Sequence, residues 1–329
     1  MKAIVTGGCG FIGFNLCKKL IETEYSNIQV IDDLSTGFRQ NKINGVDYHY
    51  ISILNHDFKN IIHAFKPDVI FHIAAVPRVS YSVEFPVETL KANVLATVEV
   101  LDAVRTTKKK QARVIFSSSS SVYGGADHLP TPESCPRNPK SPYALEKAES
   151  EMWLSMYASL YGVDAVSLRY FNVFGPRSRW GGGYSTVLSA WLYSLYIDKK
   201  IVPYLEGDGK QSRDFCYVDN VVQANIFAAR HSNKFAGEVY NIAQGERHSL
   251  LECKEIIEKI SGQALNLEYK PARIGDVDHT LADISAARRD LGYNPSVDFE
   301  SQVKEMADWY KGEYTREVSA GKTITSVLQ

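Results

Sequence analysis

Cysteine is scarce in this sequence of 329 residues, and neither sign of charge is in excess. The cysteines are odd in number and lack the paired spacing of metal ligands, which argues against a disulfide framework and against a zinc site. They are Cys9, Cys17, Cys135, Cys216 and Cys253. Free thiols are typical of a reducing cytoplasm, so we expect a cytoplasmic protein without a metal site. The formal net charge of −1 gives no electrostatic reason to expect nucleic acid or an anionic membrane as a partner.

Long apolar runs are missing as well. No stretch approaches the roughly 18 apolar residues that a membrane-spanning helix needs. Met1-Lys2 leads directly into the strand-like segment Ala3-Ile4-Val5, which is not the pattern of a signal peptide. The composition is ordinary, with 44% hydrophobic and 23% charged residues, and is typical of a soluble globular enzyme. The length fits one large domain or two moderate ones.

The N-terminal segment has the pattern of a dinucleotide-binding turn. A strand over residues 2–6 leads into Gly7, Gly10 and Gly13, spaced G-x-x-G-x-x-G, and a helical pattern follows. Such a turn presents free N–H groups and the positive end of the helix dipole to an anion. Asp32 ends the next strand, 19 residues beyond Gly13, the usual distance for a carboxylate that binds the adenosine ribose. Because this acid would repel a 2′-phosphate, the pattern predicts NAD rather than NADP.

Strand and helix patterns alternate from the N-terminus to Tyr170. The strands are continuous apolar runs, such as residues 68–73, which is typical of parallel strands buried on both faces. His72 ends that run and could be a ligand or an acid, although a core histidine with satisfied nitrogens is favoured. We predict an α/β fold, a Rossmann-like doubly wound parallel sheet with a smaller α/β substrate-binding domain beside it. The predicted division is an NAD-binding domain over 1–170, to which segments near 213–243 return, a mainly substrate-binding domain over 171–312, and a polar tail over 313–329.

A helix start near the middle of the chain brings together two side chains that can do chemistry. Ser141 is a capping residue and Pro142 suits the first helical position, so a helix is predicted from here to about residue 161. Tyr143 and Lys147 then lie one turn apart on one face. The ammonium of Lys147 would favour the phenolate form of Tyr143, which could act as a base. The alternative is an amphipathic helix with an exposed lysine.

Five consecutive serines, Ser117 to Ser121, follow the strand over residues 113–116. They could form a plain polar loop. At the carboxyl end of a central strand, however, their hydroxyls could contact a bound substrate, and one could relay a proton to Tyr143 without a charge to desolvate.

The glycine turn, the serine-rich strand end and Tyr143-x-x-x-Lys147 together resemble the extended short-chain dehydrogenase/reductase superfamily. Within it the chain is similar to the nucleotide-sugar epimerase/dehydratase branch, from residue 1 to about residue 312. Further matching segments are Leu168–Gly175 and Ser212–Phe215. The resemblance implies that Tyr143 is the base, that Lys147 binds the nicotinamide ribose and that Ser119 is the hydroxyl partner of Tyr143.

The same resemblance implies contacts to both ligands. The residues assigned to NAD, besides Tyr143 and Lys147, are Gly7, Gly10, Phe11, Ile12, Gly13, Asp32, Asp33, Ser35, Thr36, Gly37, Ile53, Ala74, Ala75, Asn93, Ser117 and Tyr170. The residues assigned to a UDP-sugar are Ser82, Ser119, Ser120, Ser121, Tyr143, Asn172, Val187, Leu188, Tyr204, Arg213, Arg273, Asp276 and Thr280. Of these, Asn172, Arg213 and Arg273 would hold the diphosphate. Two departures stand out: Ser52 replaces an acid that many relatives carry, and Arg78 lies in a loop that often lacks a basic residue.

The residues after Ser119 bear on the reaction. In the branch, dehydratases carry Asp-Glu directly after this serine, and decarboxylating relatives keep a glutamate there. This chain has Ser120 and Ser121, neither of which is a carboxylic acid, so the resemblance favours C4 epimerisation through a transient 4-keto sugar. The alternative from another class is a non-catalytic, NAD-responsive binding protein, which would have no need to keep Tyr143 and Lys147.

The resemblance connects Thr280 with the choice among UDP-sugar substrates. In 4-epimerases of this branch, a bulky tyrosine at the matching position accompanies restriction to glucose and galactose, whereas small residues accompany N-acetyl sugars. We therefore predict UDP-N-acetylglucosamine and UDP-N-acetylgalactosamine, with UDP-glucose/UDP-galactose or a UDP-uronic acid as alternatives. The alternative for Thr280 is an ordinary loop hydroxyl without a role in substrate choice. The resemblance also implies a homodimer, in which helices near 88–105 and 142–161 form a four-helix bundle.

Overall fold

The computed structural model describes residues 1–107, 111–125, 128–181, 186–272 and 277–319. Its strands are, in chain order, β1 (Lys2–Thr6), β2 (Asn27–Ile31), β3 (Asp47–His49), β4 (Val69–His72), β5 (Arg113–Ser119), β6 (Ala165–Tyr170), β7 (Val173–Phe174), β8 (Tyr204–Glu206), β9 (Ser212–Arg213), β10 (Cys216–Tyr217), β11 (Ala236–Ile242), β12 (His248–Ser249) and β13 (Glu268–Lys270). Its α-helices are α1 (Phe11–Ile21), α2 (Asp57–Phe65), α3 (Val79–Glu84), α4 (Pro86–Leu90), α5 (Ala96–Arg105), α6 (Pro142–Tyr161), α7 (Val187–Tyr196), α8 (Val218–Arg230), α9 (Leu250–Ser261), α10 (Phe299–Trp309) and α11 (Thr315–Ser319). A 3₁₀ turn covers Ser120–Tyr123, and π-helical turns cover Lys91–Leu95, Ala287–Leu291 and Tyr310–Tyr314.

Seven strands form one parallel sheet in the order β11-β6-β5-β4-β1-β2-β3. The order runs outward in both directions from β1 and β4, so the crossover connections diverge there. This divergence leaves a crevice at the carboxyl ends of β1 and β4, where doubly wound folds bind ligands. The predicted Rossmann-like α/β fold is confirmed.

The sheet is buried on both faces because its strand residues alternate between two hydrophobic clusters. Ile4 of β1 belongs to the cluster that includes residues of α2 and α5, whereas Val5 belongs to the cluster that includes residues of α1 and α8. Phe71 and Ile115 follow Val5 across the sheet in register, and both belong to the second cluster. This double burial explains the continuous apolar runs of the sequence.

The strand predicted over residues 113–116 is longer than expected, since β5 continues to Ser119 and includes three of the five serines. Ser117, Ser118 and Ser119 pair in register with residues 168–170 of β6. Backbone pairing therefore fixes the direction of each hydroxyl: alternate serines point to opposite faces of the sheet.

Beyond Tyr170 the chain forms shorter elements. β7 pairs with β10, β8 with β13, and β9 with β12, while β11 returns to the large sheet beside β6. The chain remains helical to Ser319, past Glu313, where the sequence predicts a polar tail, and Tyr314 is fully buried. None of the described helices has the length and apolar character needed to cross a bilayer.

Candidate active site

A cavity of about 930 Å³ opens at the crevice where the sheet connections diverge. The predicted cofactor residues that line it are Gly7, Gly10, Phe11, Ile12, Gly13, Asp32, Asp33, Ser35, Thr36, Ile53, Ala74, Ala75, Ser117, Tyr143, Lys147 and Tyr170. The predicted sugar-side residues that line it are Ser119, Ser120, Ser121, Tyr143, Asn172, Arg213 and Thr280. Both sets therefore lie on one continuous wall.

The glycine turn forms one side of this cavity. Gly7 has φ +73°, and a Cβ there would lie 2.8 Å from the Cα atom of Ala74, at the end of β4. A Cβ on Gly13 would overlap the carbonyl oxygen of Gly7. The turn can pack this closely only with glycine at both positions. The N-terminus of α1 then borders the cavity at Gly10 and Phe11, where its free N–H groups favour an anion.

Asp32 presents a buried carboxylate to the same cavity. Its two oxygens accept hydrogen bonds from the backbone N–H groups of Cys9 (2.9 Å) and Leu34 (2.8 Å). Burial raises the pKa of Asp32, and these two hydrogen bonds oppose that rise. Gly37 does not line the cavity but lies behind the carboxylate, where a Cβ would be 2.8 Å from Asp32 Oδ1. The held carboxylate suits the two hydroxyls of a ribose.

Tyr143 is placed by the start of α6. The Ser141 hydroxyl accepts from the Ala144 N–H (3.2 Å), as the sequence predicts for the cap. The Tyr143 N–H donates to the hydroxyl of Ser82 (3.1 Å), so Ser82 supports Tyr143 from behind and does not line the cavity. Burial raises the pKa of Tyr143 to about 12; the hydrogen bond with Ser119 lowers it and the charge of Glu146 raises it.

Lys147 is buried, which rules out the alternative of an exposed lysine on an amphipathic helix. Its Nζ donates to the carbonyl oxygen of Ser117 (2.7 Å) and lies 5.9 Å from the centre of the Tyr143 ring. Burial lowers the pKa of Lys147 to about 8, while Glu146 and Glu151 act to raise it. The expected promotion of the phenolate by Lys147 is not seen in the protein alone: burial raises the pKa of Tyr143, and the group that lowers it is Ser119, not Lys147.

A buried polar network behind α6 fixes these side chains. The Glu146 carboxylate accepts from Thr89 Oγ1 (2.6 Å) and from Asn93 Nδ2 (2.6 Å). Asn93 also exchanges two hydrogen bonds with the backbone of Val76, so it joins α6 to the cavity wall instead of lining it. Apart from their places in helical patterns, nothing in the sequence pointed to Thr89 and Glu146.

The serines have different roles because alternate hydroxyls point to opposite faces. Ser118 Oγ donates to the buried carboxylate of Glu151 (2.6 Å), which pairs with Arg169 (2.7 Å). Ser117 Oγ donates to the hydroxyl of Tyr170 (3.0 Å). Ser119 Oγ accepts from the Ser121 N–H (3.2 Å) and remains on the cavity wall.

The predicted sugar side of the cavity wall is built around Asn172 and Thr280. Asn172 has φ +30°, and its Nδ2 donates to the carbonyl oxygen of Asp214 (3.1 Å) and to Thr280 Oγ1 (3.3 Å). The Asp214 N–H donates to the same hydroxyl (3.1 Å). Thr280 is thus held by two hydrogen bonds at the cavity wall. Arg213 donates to the carbonyl oxygens of Ser212 and Asp278, both at 3.1 Å.

Asp214, the neighbour of Arg213, uses its carboxylate to bind the protein backbone. Its buried carboxylate accepts from the backbone N–H groups of Gln244 (3.0 Å), Gly245 (3.1 Å) and Ala282 (3.1 Å). Burial raises the pKa of Asp214 to about 7 against these hydrogen bonds. The carboxylate therefore joins three chain segments beneath the sugar side of the wall.

Several predicted sugar-side residues do not line the cavity. Leu188 is fully buried in the core, because α7 packs its apolar face inward, and Val187 packs against that core. Tyr204 is 43% exposed on β8, with Lys270 Nζ 4.1 Å from its ring centre. Arg273 and Asp276 lie outside the described residues.

His72 is the core histidine favoured by the sequence. Its Nδ1 bonds to Thr6 Oγ1 (2.8 Å) and its Nε2 to Thr97 Oγ1 (3.0 Å). Among the described residues, no group of three or more His, Cys, Asp or Glu side chains is arranged to hold a metal ion.

Several residues that line the cavity were not predicted from the sequence, among them Phe38, Lys140, Arg177 and Arg179. For the two arginines, the only signal was the enrichment of arginine and glycine over residues 177–184. That pattern gives no indication of which ligand such arginines would face.

The cavity fits a dinucleotide. It has a glycine cradle at a helix N-terminus, the Asp32 carboxylate at one end, and Tyr143, Lys147 and Ser119 at another. The fold and the site thus define a dinucleotide-dependent α/β enzyme. The sequence model of the NAD dependent epimerase/dehydratase family matches residues 3–243. The chain belongs to this family, its cofactor is NAD, and the resemblance noted from the sequence is confirmed.

Individual relatives align over nearly the whole chain. A putative UDP-glucose 4-epimerase of Methanocaldococcus jannaschii is 36% identical over 94% of this chain and 98% of the relative. A UDP-N-acetylglucosamine 4-epimerase of Methanobrevibacter ruminantium, solved in complex with UDP-N-acetylmuramic acid, is 34% identical with a TM-score of 0.87, covering 95% of this chain and 98% of the other. A UDP-glucuronic acid 4-epimerase of Bacillus cereus, solved with UDP-glucuronic acid and NAD, is 29% identical with a TM-score of 0.85, covering 95% and 100%.

Proposed function

We propose that the protein interconverts UDP-N-acetylglucosamine and UDP-N-acetylgalactosamine by inverting C4 of the sugar. The observation that carries the proposal is the placement of Tyr143, Lys147 and Ser119 on the wall of one cavity with the glycine turn. Relatives of this chain are named as 4-epimerases of UDP-glucose, UDP-N-acetylglucosamine and UDP-glucuronic acid.

Each side chain has a defined task in this reaction. Bound NAD supplies the hydride acceptor and donor for C4. Tyr143 takes the proton of the 4-hydroxyl and later returns it, and Ser119 relays that proton or orients the hydroxyl. The hydrogen bond to the Ser117 carbonyl holds Lys147 beside the ring of Tyr143. There its positive charge stabilises the phenolate once the site is filled.

Inversion requires that the 4-keto sugar turn over while the nucleotide stays bound. Arg213 suits the diphosphate, because its guanidinium binds phosphate oxygens in a fixed fork. We propose that Arg213 and Asn172 hold the nucleotide and that residues 171–312 mainly supply the sugar-nucleotide side of the site. A tight hold on the diphosphate and a loose one on the sugar permit the rotation.

The residues beside Ser119 favour epimerisation over dehydration. Elimination of water across C5 and C6 needs a carboxylic acid and a base. Ser120 and Ser121 line the cavity at the two positions concerned and provide only hydroxyls.

The small side chain of Thr280 supports the assignment of N-acetyl sugars as substrates. It lies on the cavity wall, held between Asn172 and the backbone of Asp214. A bulky aromatic side chain there would project into the space that an acetamido group needs. This is the basis for preferring N-acetylhexosamines over unsubstituted hexoses.

The purified protein, supplied with NAD, should be assayed against UDP-glucose, UDP-galactose, UDP-N-acetylglucosamine, UDP-N-acetylgalactosamine and UDP-glucuronate. We expect the highest kcat/KM for the two N-acetyl sugars. If UDP-glucuronate is the best substrate, the activity is that of the Bacillus cereus neighbour and the substrate assignment is wrong. If no UDP-sugar turns over, the non-catalytic alternative is the better interpretation.

We also propose a homodimer through the faces of α4 to α6. Large apolar side chains remain exposed along α4 to α6 and the π-helical turn between α4 and α5. They are Val87, Leu90, Leu95, Leu145, Met152, Trp153, Met156, Leu160 and Tyr161. A second copy of this face would bury them, and α6 packs beside α4 and α5 as a four-helix bundle requires.

Light scattering at micromolar concentration should give about twice the chain mass of 36.8 kDa. Met156→Glu combined with Leu160→Glu should give monomers, because charge would be buried in the interface. Val202→Glu is the matched control, since Val202 is equally exposed (62%) but far along the chain from this face. A wild-type monomer would contradict the proposal.

A further inference from the structure

Two arginines on the cavity wall share one carboxylate from the C-terminal helix. Arg177 Nη1 lies 3.0 Å from Glu317 Oε1, and Arg179 Nη2 lies 2.5 Å from Glu317 Oε2. Arg177 Nη2 also lies 2.8 Å from Glu313 Oε2. Both arginines line the cavity, whereas neither glutamate does. The positive groups therefore face the cavity and the negative groups lie behind them.

The contacts of Arg177 place this cluster beside the glycine turn. Its guanidinium lies 4.5 Å from the centre of the Phe14 ring in α1, and its Nη1 donates to Asn41 Oδ1 (3.2 Å). Asn41 in turn donates to the carbonyl oxygen of Cys9 within the turn (2.8 Å). The preceding carbonyl, that of Pro176, accepts from Asn15 of α1 (3.1 Å).

Arg179 is almost completely buried on the same side. Its guanidinium lies 4.3 Å from the centre of the Phe38 ring, and Phe38 also lines the cavity. The Phe38 N–H donates to the carbonyl oxygen of Cys9 (3.0 Å), the residue whose own N–H donates to the Asp32 carboxylate. Burial of the guanidinium makes a compensating charge necessary, and Glu317 supplies it.

The backbone and the neighbouring helix hold the arginines in place. Arg177 has φ +77°, a left-handed conformation that a residue with a Cβ keeps only when its surroundings enforce it. The buried hydroxyl of Tyr310 donates to the carbonyl oxygen of Ser178 (2.8 Å) and accepts from the Trp180 N–H (3.1 Å). Residues 310–319, which we name the C-terminal strap, are thus joined to the arginine segment by hydrogen bonds and ion pairs.

We propose that the C-terminal strap retains the cofactor, because Glu317 fixes Arg177 and Arg179 as a cationic wall that faces the diphosphate of NAD. The N-terminus of α1 would neutralise the diphosphate from one side and the two guanidinium groups from the other. A reaction that regenerates its cofactor in every cycle gains from slow cofactor release. Glu317 is a positioning residue here, and the proposal does not depend on which UDP-sugar is the substrate.

Glu317→Gln tests the proposal in the full-length, NAD-loaded protein. We expect NAD to dissociate about tenfold faster, as for the loss of one strong charge-assisted contact. The release rate is measured by rapid desalting in the absence of any sugar, so it is independent of turnover. At saturating NAD, kcat should be unchanged, because the reacting end is not touched.

Two further variants separate positioning from folding. Glu313→Gln removes only the outer ion pair of Arg177 and should accelerate release by about twofold, a surface-pair effect. Asp308→Asn is the matched control, because it removes an exposed ion pair between Asp308 and Lys304 within α10. It should leave the rate of NAD release unchanged.

A comparison of ligands with and without phosphate groups identifies the part of NAD that the two arginines face. In the Glu317→Gln variant, the Kd of ADP-ribose should rise as that of NAD does, whereas the Kd of adenosine should not. If adenosine weakens equally, or if only the melting temperature falls while NAD release is unchanged, the strap has a structural role and the proposal is wrong.

Discussion

The Nζ atom of Lys147 donates a hydrogen bond to the carbonyl oxygen of Ser117, with a separation of 2.7 Å. This bond connects the helix that carries Tyr143 to the strand that carries Ser119. It also places an ammonium group where burial lowers its pKa from the ordinary 10.5 to about 8. The site of the protein alone therefore contains a cation that the fold disfavours, and filling the cavity with an anionic ligand would change that balance.

Lys147 should give the unliganded protein a measurable dependence of stability on pH. The unfolded chain keeps this lysine protonated up to about pH 10.5, but the folded chain releases the proton near pH 8, so stability rises with pH between these values. Compared with Lys147→Met, the wild-type protein should lose roughly 3 kcal/mol of relative stability as the pH falls through this window. Urea unfolding of both proteins at pH 8, 9 and 10 measures the difference, and a difference that does not vary with pH would contradict the assignment.

Tyr143→Phe should abolish turnover while cofactor binding survives. The change removes only the phenolic oxygen that accepts the proton. The hydrogen bond from the backbone N–H of residue 143 to the Ser82 hydroxyl remains. A loss of general-base catalysis predicts a decrease in kcat of about a hundredfold or more. NAD and UDP-sugar affinities, measured by calorimetry, should stay near the wild-type values. Turnover close to that of the wild type would remove Tyr143 from the mechanism.

Gly13→Ala should eliminate NAD binding, because a Cβ would overlap the carbonyl oxygen of Gly7 and open the glycine turn. Gly312→Ala is the control: although that glycine lies in the C-terminal strap, an added Cβ would meet nothing within 4 Å, so the ion pairs of Glu317 with Arg177 and Arg179 are kept. The alanine there should leave NAD affinity unchanged and raise helix stability slightly, by up to about 1 kcal/mol. Calorimetric titration of NAD into both variants checks the contrast, and equal affinities would show that the turn has room for a side chain.

Local patterns predicted the parts of the site that one short segment encodes. The glycine turn, Asp32, the cap at Ser141 and the Tyr143–Lys147 pair each depend on spacing within one or two adjacent elements. The predicted strand over residues 113–116 stopped short of the serines, whereas β5 continues to Ser119 because Ser117, Ser118 and Ser119 pair with β6.

The parts that could not be predicted are formed by residues far apart in the sequence. Glu317 meets Arg177 and Arg179 only because the last helix packs across the segment after β7. Asn93 was assigned to the cofactor, but it instead binds Glu146 and the backbone of Val76. The neighbours of Glu317 and of Asn93 in the sequence do not indicate which distant residues these two side chains contact.

Thr280→Tyr tests the basis of the substrate preference. The tyrosine would lose the hydroxyl that accepts from Asn172 and from the Asp214 N–H, and its ring would occupy the wall of the sugar side. Overpacking a fitted pocket costs roughly 1–3 kcal/mol, so kcat/KM for UDP-N-acetylglucosamine should fall by about tenfold to a hundredfold. UDP-glucose lacks the acetamido group and should be affected much less.

Thr280→Ser is the matched control for this substitution, because it keeps a hydroxyl at the same position without adding volume. It should leave the ratio of kcat/KM for UDP-N-acetylglucosamine to that for UDP-glucose within about twofold of the wild type, since no packed group is added. The comparison requires initial rates for both sugars with all three proteins at saturating NAD. If Thr280→Tyr lowers both sugars equally while Thr280→Ser lowers neither, the ring disrupts the Asn172–Asp214 contact rather than the acetamido space. Thr280 would then be an ordinary loop hydroxyl, and the preference for N-acetyl sugars would need another origin.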